Sequence, residues 1–158
     1  MHLNIEHLAE DLWVFGYGSL IWRPGFDHVE RQPARLIGAH RALCVFSHVQ
    51  RGTPERPGLV LGLDFGGACR GVAYRVAGKK RAEVIAYLRA REQATSVYRE
   101  TMRSVTLLTR PERRAAALVY MIDRGHPQYA GRLSMDVPSR STVTWSASCS
   151  ISCSRCET

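Results

Sequence analysis

Apolar residues alternate with polar ones, or form short runs, over most of the first 122 residues, as is typical of β-strands. Glycine- and proline-rich turn signals separate these runs. They read RPGF, RGTPERPG, FGGA and TRPERR. The pattern predicts six strands, over residues 12–16, 35–48, 59–64, 69–76, 104–109 and 115–122.

Residues 79–98 have a different pattern, because they lack glycine and proline and consist mostly of good helix formers. Val84, Ile85 and Leu88 lie on one face of the predicted helix. Several strands around one helix predict an α+β fold, specifically a small mixed β-barrel or a strongly curled sheet.

The composition changes after Ser134. Residues 135–158 are crowded with Ser, Thr and Cys and show no helical or strand period. We therefore expect one domain over residues 1–134, followed by an atypical, disordered tail over residues 135–158.

Glu92 continues the apolar stripe of the predicted helix, one turn beyond Leu88, so its carboxylate is expected to face the core. Burial raises the pKa of a carboxyl group toward neutrality, which suits a residue that shuttles protons at cytoplasmic pH. The alternative is structural, since Arg89 and Arg91 are adjacent and a glutamate at a helix end can turn out to solvent.

Two glycines follow the first strand in the stretch WVFGYGSLIW, residues 13–22. A dinucleotide-binding loop would need a third glycine where Ile21 stands, and the Lys-Ser/Thr ending of a P-loop is missing. We interpret the stretch as a strand and turn that direct Tyr17, Ser19 and backbone N–H groups at a small anion or carboxylate. In the alternative interpretation, Tyr17 is a core residue and Ser19 is an ordinary turn residue.

The histidines do not have the spacing of common metal motifs, which argues against a metalloenzyme. Cys149, Cys153 and Cys156 have the spacing of an iron–sulfur motif, but only two residues follow them. We predict no metal and no cofactor.

The chain carries a formal net charge of +8, which makes nucleic acid a candidate partner. Its basic blocks are not interleaved with aromatic residues, so we expect no nucleic-acid binding. No apolar window has the length of a signal or of a membrane span, and we expect a cytoplasmic protein without membrane contact.

Four blocks resemble, in order and spacing, the ChaC-type γ-glutamylcyclotransferases: WVFGYGSLIWRPGF, RGTPERPGLVLGLDFGGACRGVAYRV, AYLRAREQATSVYRE and HPQYAGRLS. The resemblance implies a small β-barrel flanked by helices that cleaves glutathione to 5-oxoproline and cysteinylglycine without cofactor or metal. It implies that Glu92 is the catalytic glutamate. The substrate-binding positions that it implies are Tyr17, Gly18, Ser19, Leu20, Tyr98 and Tyr129.

The family continues after the last block into C-terminal helices that have no counterpart here. If those helices cover an apolar face, their loss favours association, and we expect a monomer or weak dimer. Two alternatives stay open. The chain could be an impaired barrel that binds a small carboxylate or nucleic acid, or a cyclotransferase that acts on other γ-glutamyl amines.

Overall fold

A computed structural model describes residue 5 and residues 9–52, 57–92 and 96–131 of the chain. Within these ranges the five strands are β1 (Leu12–Gly16), β2 (Glu30–Gly52), β3 (Pro57–Val76), β4 (Tyr98–Leu107) and β5 (Arg113–Ile122). They close a barrel in the order β1-β3-β2-β4-β5, in which β1 is parallel to β5 and the other neighbours are antiparallel. The predicted small mixed barrel is confirmed. The predicted tail, residues 135–158, lies outside the described ranges.

One α-helix, α1 (Arg81–Glu92), packs on the outside of the barrel. Strand β1 alternates, so that Leu12 and Val14 contact the helix while Phe15 points into the barrel interior. The helix contributes Val84, Ile85 and Leu88, which are all buried against that outer face. Burial of this stripe fixes the helix on the barrel and sets the direction in which its last turn points.

The segment FGGA does not separate two strands, contrary to the sequence-based prediction. Residues 59–64 and 69–76 both belong to β3, which pairs with β2 on either side of a register shift between Ile37 and Ala39. Gly38, Gly66 and Gly67 have positive φ angles of 85°, 97° and 70°. These glycines therefore absorb the extra residues as a bulge, which bends the hairpin without reversing the chain.

The helix ends at Glu92, six residues earlier than predicted, and Tyr98 begins β4. Ser96 has a positive φ of 56°, and Val97 is fully buried beside Ile122. The run Thr-Ser-Val-Tyr has weak helix propensity and favours extended backbone, which the packing of Val97 selects. Strand β4 consequently starts at residue 98 and not at residue 104, and β2 also extends beyond the predicted 35–48 at both ends.

The described helices include none that is long and apolar enough to span a bilayer.

Candidate active site

Glu92 is the last residue of α1, one turn beyond the buried Leu88. Its side chain is 19% exposed, so the carboxylate lies at the edge of the core, as the helical spacing predicted. Within the described part of the chain, its ion-pair partner is Nε of Arg91, 3.3 Å from Oε1. A carboxylate that is mostly buried, with one cation beside it, is poorly compensated for the loss of water.

Burial raises the pKa of Glu92, and the Arg91 guanidinium opposes this shift only in part. The direction agrees with the expectation from sequence. A carboxyl group whose pKa lies closer to neutrality than usual can both accept a proton and return it near physiological pH.

The loop of residues 17–24 connects β1 to the rest of the sheet and contains one 3-10 turn, Ser19–Ile21. Its beginning is tight, because a Cβ atom at Gly16 would lie 2.9 Å from Cβ of Leu20. A Cβ atom at Gly18 would meet only Leu61, at 3.8 Å. Gly16 is therefore required by the turn itself, whereas Gly18 leaves open space above the main chain.

Side chains from three different elements bind the carbonyl groups of the 17–24 loop. Nε of Arg41 donates to the carbonyl of Tyr17 at 2.6 Å. The hydroxyl of Tyr74 donates to the carbonyls of Leu20 and Ile21 at 2.9 and 2.8 Å. Nη1 of Arg91 lies 2.7 Å from the carbonyl of Arg23. These contacts hold the carbonyl oxygens against the protein.

The N–H groups at the start of the same loop differ from one another in whether they have a hydrogen-bond acceptor. Those of Ile21 and Arg23 donate to the carbonyls of Gly18 and Ser19 within the turn. The N–H groups of Gly18, Ser19 and Leu20 have no acceptor among the residues that the structure describes. Successive backbone donors with no acceptor among the described residues are the kind of group that can bind a carboxylate or a developing oxyanion.

Arg91 joins this loop to Glu92. Its Nη2 donates to Oγ of Ser19 at 2.8 Å while its Nε pairs with the carboxylate of Glu92. Ser19 and Glu92 therefore contact neighbouring nitrogen atoms of one guanidinium group. The predicted catalytic residue and the predicted YGSL loop are brought together at the end of α1.

Two of the predicted tyrosines lie beside Glu92. Tyr17 is 8% exposed within the barrel interior, and burial, followed by the nearby Tyr98 and Glu92, raises the pKa of its hydroxyl. Burial and Glu92 also raise the pKa of Tyr98, whose hydroxyl donates to the carbonyl of Leu61 at 3.0 Å. Both phenols stay protonated at physiological pH and remain hydrogen-bond donors.

Tyr129 has a different environment. Its hydroxyl donates to Oδ2 of Asp64 at 2.9 Å, and Nε of Arg124 lies 2.7 Å from the other oxygen of that carboxylate. Tyr129 also bridges Val45 of β2 and packs near Cys44. These contacts hold Tyr129 against β2 and β3, and the described contacts do not join Tyr129 to Glu92.

Sequence patterns did not indicate which residues arrange the site. Arg41 and Tyr74 lie on β2 and β3, far from the loop along the chain. In the sequence, Arg91 is recognisable only as a basic neighbour of Glu92. The sole available signal was helical, since Tyr87 and Arg91 are four residues apart and their side chains bind each other at 2.9 Å.

The described residues contain no group of three or more His, Cys, Asp or Glu side chains that could hold a metal ion. The chemical groups at the end of α1 are a carboxylate with a raised pKa, two phenols and three backbone donors. Such a set can move a proton and stabilise negative charge on an oxygen atom.

A search of solved structures finds the same fold in a glutathione-specific γ-glutamyl cyclotransferase from yeast. The TM-score is 0.72 at 25% identity, over 80% of this chain and 75% of that one. A protein from Bacillus subtilis, with a TM-score of 0.54 at 20% identity, supports the fold alone.

Curated relatives extend the likeness to sequence. The glutathione-specific γ-glutamylcyclotransferase of Escherichia coli K12 is 37% identical over 118 residues, which cover 75% of this chain and 50% of that protein. The human glutathione-specific γ-glutamylcyclotransferase 1 is 34% identical over 124 residues, covering 76% and 55%. The chain thus spans about half the length of these relatives. The family model described as ChaC-like protein matches residues 12–150, and the chain belongs to this family.

Proposed function

We propose that the protein is a γ-glutamylcyclotransferase that converts glutathione to 5-oxoproline and cysteinylglycine. The names of the curated relatives support the substrate. The observation that carries the proposal is the placement of the Glu92 carboxylate, which is 19% exposed and shares the Arg91 guanidinium with the 17–24 loop. Three backbone donors of that loop have no acceptor within the described ranges.

The proposed reaction begins with a proton transfer to Glu92. The α-amino group of the γ-glutamyl residue is mostly an ammonium ion at pH 7, because α-amino groups have pKa values of about 7.7–8.0. The Glu92 carboxylate removes one proton, and the neutral amine attacks the γ-carbonyl carbon of the same residue. Because nucleophile and electrophile are tethered, the enzyme gains most by folding the substrate into the five-membered ring.

The second step releases the products. The tetrahedral intermediate collapses with cleavage of the γ-carbonyl C–N bond, and Glu92 returns its proton to the departing nitrogen of cysteinylglycine. The ring nitrogen still carries one surplus proton after this step. The regenerated Glu92 carboxylate removes that proton, which leaves 5-oxoproline, and passes it to the amine of cysteinylglycine, which departs as an ammonium ion. Glu92 ends the cycle as a carboxylate, so the reaction balances without a cofactor or a water molecule.

The 17–24 loop is proposed to bind the γ-glutamyl group. The N–H groups of Gly18, Ser19 and Leu20 would receive its α-carboxylate or the oxyanion that develops on the γ-carbonyl oxygen. The protonated phenols of Tyr17 and Tyr98 would border the pocket. Tyr129 is the weakest member of the predicted set, because its hydroxyl already binds Asp64.

The proposed location is the cytoplasm. Cys44 and Cys69 are buried free thiols, and burial raises the pKa of Cys44 to about 11, as suits a reducing compartment and unreactive core cysteines.

The test is turnover of glutathione by the purified chain, with 5-oxoproline and cysteinylglycine measured by mass spectrometry. Glu92→Gln keeps the shape of the side chain but removes the base, and we expect it to lower the rate at least about 10³-fold. Glu83→Gln is the matched control, since Glu83 lies on the same helix with its side chain 70% exposed. Equal turnover by Glu92→Gln and the wild-type protein would remove Glu92 from this role.

A substrate panel separates the alternatives. We expect glutathione to be consumed faster than γ-glutamyl dipeptides of other amino acids. Faster release of 5-oxoproline from those dipeptides would keep the reaction but reassign the substrate, and binding of the peptides without any turnover would favour a binding protein.

A further inference from the structure

The guanidinium group of Arg91 makes more contacts than any other polar group described at the end of α1. Nη1 donates to the carbonyls of Arg23 and Pro24 and to the hydroxyl of Tyr87, at 2.7, 3.3 and 2.9 Å. Nη2 and Nε reach Ser19 and Glu92, as described above. All three nitrogen atoms are therefore engaged with the protein.

This engagement distinguishes two possible roles. A guanidinium group that binds a substrate carboxylate needs two parallel N–H donors free on one edge. In Arg91 one such edge is divided between Ser19 and Glu92, and Nη1 already serves three acceptors in the loop and helix. Arg91 thus has the contacts of a group that fixes the distance between other residues.

We propose that Arg91 is a positioning residue that holds the Glu92 carboxylate and the 17–24 loop in the relative placement needed for cyclisation. The inference rests on the proposed function of this site and assigns no substrate contact to Arg91. The planar guanidinium joins a side-chain hydroxyl, two main-chain carbonyls and a carboxylate, so that loop and helix end move as one unit. A lysine could not span these acceptors, because its ammonium group is a single point charge.

The groups that face Glu92 come from four elements. Arg91 belongs to α1 itself, Tyr17 to the loop after β1, Tyr98 to β4 and Tyr120 to β5. The three phenols are neutral at physiological pH, because burial raises the pKa of each. Arg91 is consequently the cation that favours the ionised form of Glu92, and its removal should raise the pKa of that carboxyl further.

Two substitutions separate the charge of Arg91 from its shape. In Arg91→Met, which removes both, we expect kcat to fall about 10²-fold, as for a displaced catalytic group, with KM changed less than about threefold. The acid limb of the kcat profile should move to higher pH. In Arg91→Lys we expect a similar loss of kcat with the limb close to its wild-type position. Arg114→Met, an exposed position at the start of β5, controls for the loss of one positive charge.

Two kinetic results would overturn the inference. A wild-type kcat in both Arg91 variants would show that the link is dispensable. A large rise in KM with kcat unchanged would instead make Arg91 a substrate-binding residue.

A spectroscopic measurement tests the link even if the chain does not turn over glutathione. In ¹⁵N-labelled protein, the amide signals of Gly18, Ser19 and Leu20 should shift in Arg91→Lys and Arg91→Met but stay in place in Arg114→Met. In ¹³C-glutamate-labelled protein, the Glu92 carboxyl, assigned with Glu92→Gln, should titrate at higher pH in Arg91→Met. Unchanged amide signals and an unchanged titration would show that Arg91 does not couple loop and helix.

Discussion

Two glutamates lie where α1 meets the barrel and differ in the partners that surround them: Glu92 ends α1, and Glu100 of β4 binds Arg89 of α1. Glu100, on β4, is 4% exposed and forms two hydrogen bonds with the guanidinium of Arg89, at 2.8 and 3.1 Å. The hydroxyl of Tyr120 donates to the same carboxylate at 3.1 Å. Glu92 is more exposed and, within the described ranges, pairs only with Arg91.

The difference in partners distinguishes a carboxylate that stabilises the fold from one that can exchange a proton. A buried carboxylate that is fully hydrogen-bonded is held in one charge state and one orientation, which stabilises the fold. A carboxylate with a single partner and a raised pKa keeps lone pairs available and can change its protonation state at little cost. By depth of burial alone, Glu100 would be the candidate for the active group. The hydrogen-bond and ion-pair partners of the two carboxylates point to Glu92 instead.

The largest expected effect on stability comes from breaking the structural pair. Arg89→Met would remove the guanidinium group that binds the buried Glu100 carboxylate through two hydrogen bonds, and loss of one partner of a buried pair costs about 3 kcal/mol or more. Chemical denaturation of the whole chain should show this loss in the free energy of unfolding. The exposed control Arg114→Met should stay within about 0.5 kcal/mol of wild type. Equal stabilities for the two variants would show that Arg89 and Glu100 contribute little as a pair.

A smaller loss of stability is expected from a substitution of Tyr120, which also binds Glu100. Tyr120→Phe removes one hydrogen bond to Glu100 but leaves the Arg89 fork in place, so the free energy of unfolding should fall by about 1.5 kcal/mol. Because Tyr120 and Arg89 share one carboxylate, the double variant should differ from the sum of the two single variants. Additive losses would argue that the three side chains do not act as a unit.

The contrast between the glutamates also shows what the sequence could supply. Apolar alternation predicts β1 with its observed bounds and most of β5, and helical spacing predicts that Glu92 turns toward the core. The prediction of a turn between two strands at FGGA was wrong, because glycines with positive φ angles, such as Gly66 and Gly67, occur in bulges as well as in turns. The prediction that the helix continues beyond Glu92 was wrong, because burial of Val97 favours extended backbone before β4.

The partners of the two glutamates could not be predicted in the same way. Arg89 and Glu100 lie on different elements, α1 and β4, and Arg91 reaches Ser19 across 72 positions of sequence. Arginine is abundant in this chain, so composition does not indicate which arginines are engaged. Contacts of this kind depend on the placement of α1 on the barrel, which follows from packing and not from any local motif.

The smallest expected effect concerns the pH dependence of stability at Glu92. Because burial raises the pKa of this carboxyl in the folded state, the folded protein binds more protons than the unfolded chain at pH values between the ordinary and the raised pKa. The contribution of Glu92 to the free energy of unfolding therefore declines as the pH rises through that window, which begins near about pH 4.3. The Glu92→Gln variant lacks this pH-dependent contribution to the free energy of unfolding.

Urea denaturation of Glu92→Gln and wild type from about pH 4 to pH 8 measures the difference directly. The stability of Glu92→Gln relative to wild type should increase with pH and then level off above the raised pKa. Glu83→Gln controls for the loss of one negative charge from α1. The same deprotonation that costs stability creates the proposed catalytic base, so the activity of the wild-type protein should rise over the same pH window. A relative stability that stays constant or declines with pH would show that the fold does not disfavour the ionised form of Glu92, and would remove the physical distinction drawn between Glu92 and Glu100.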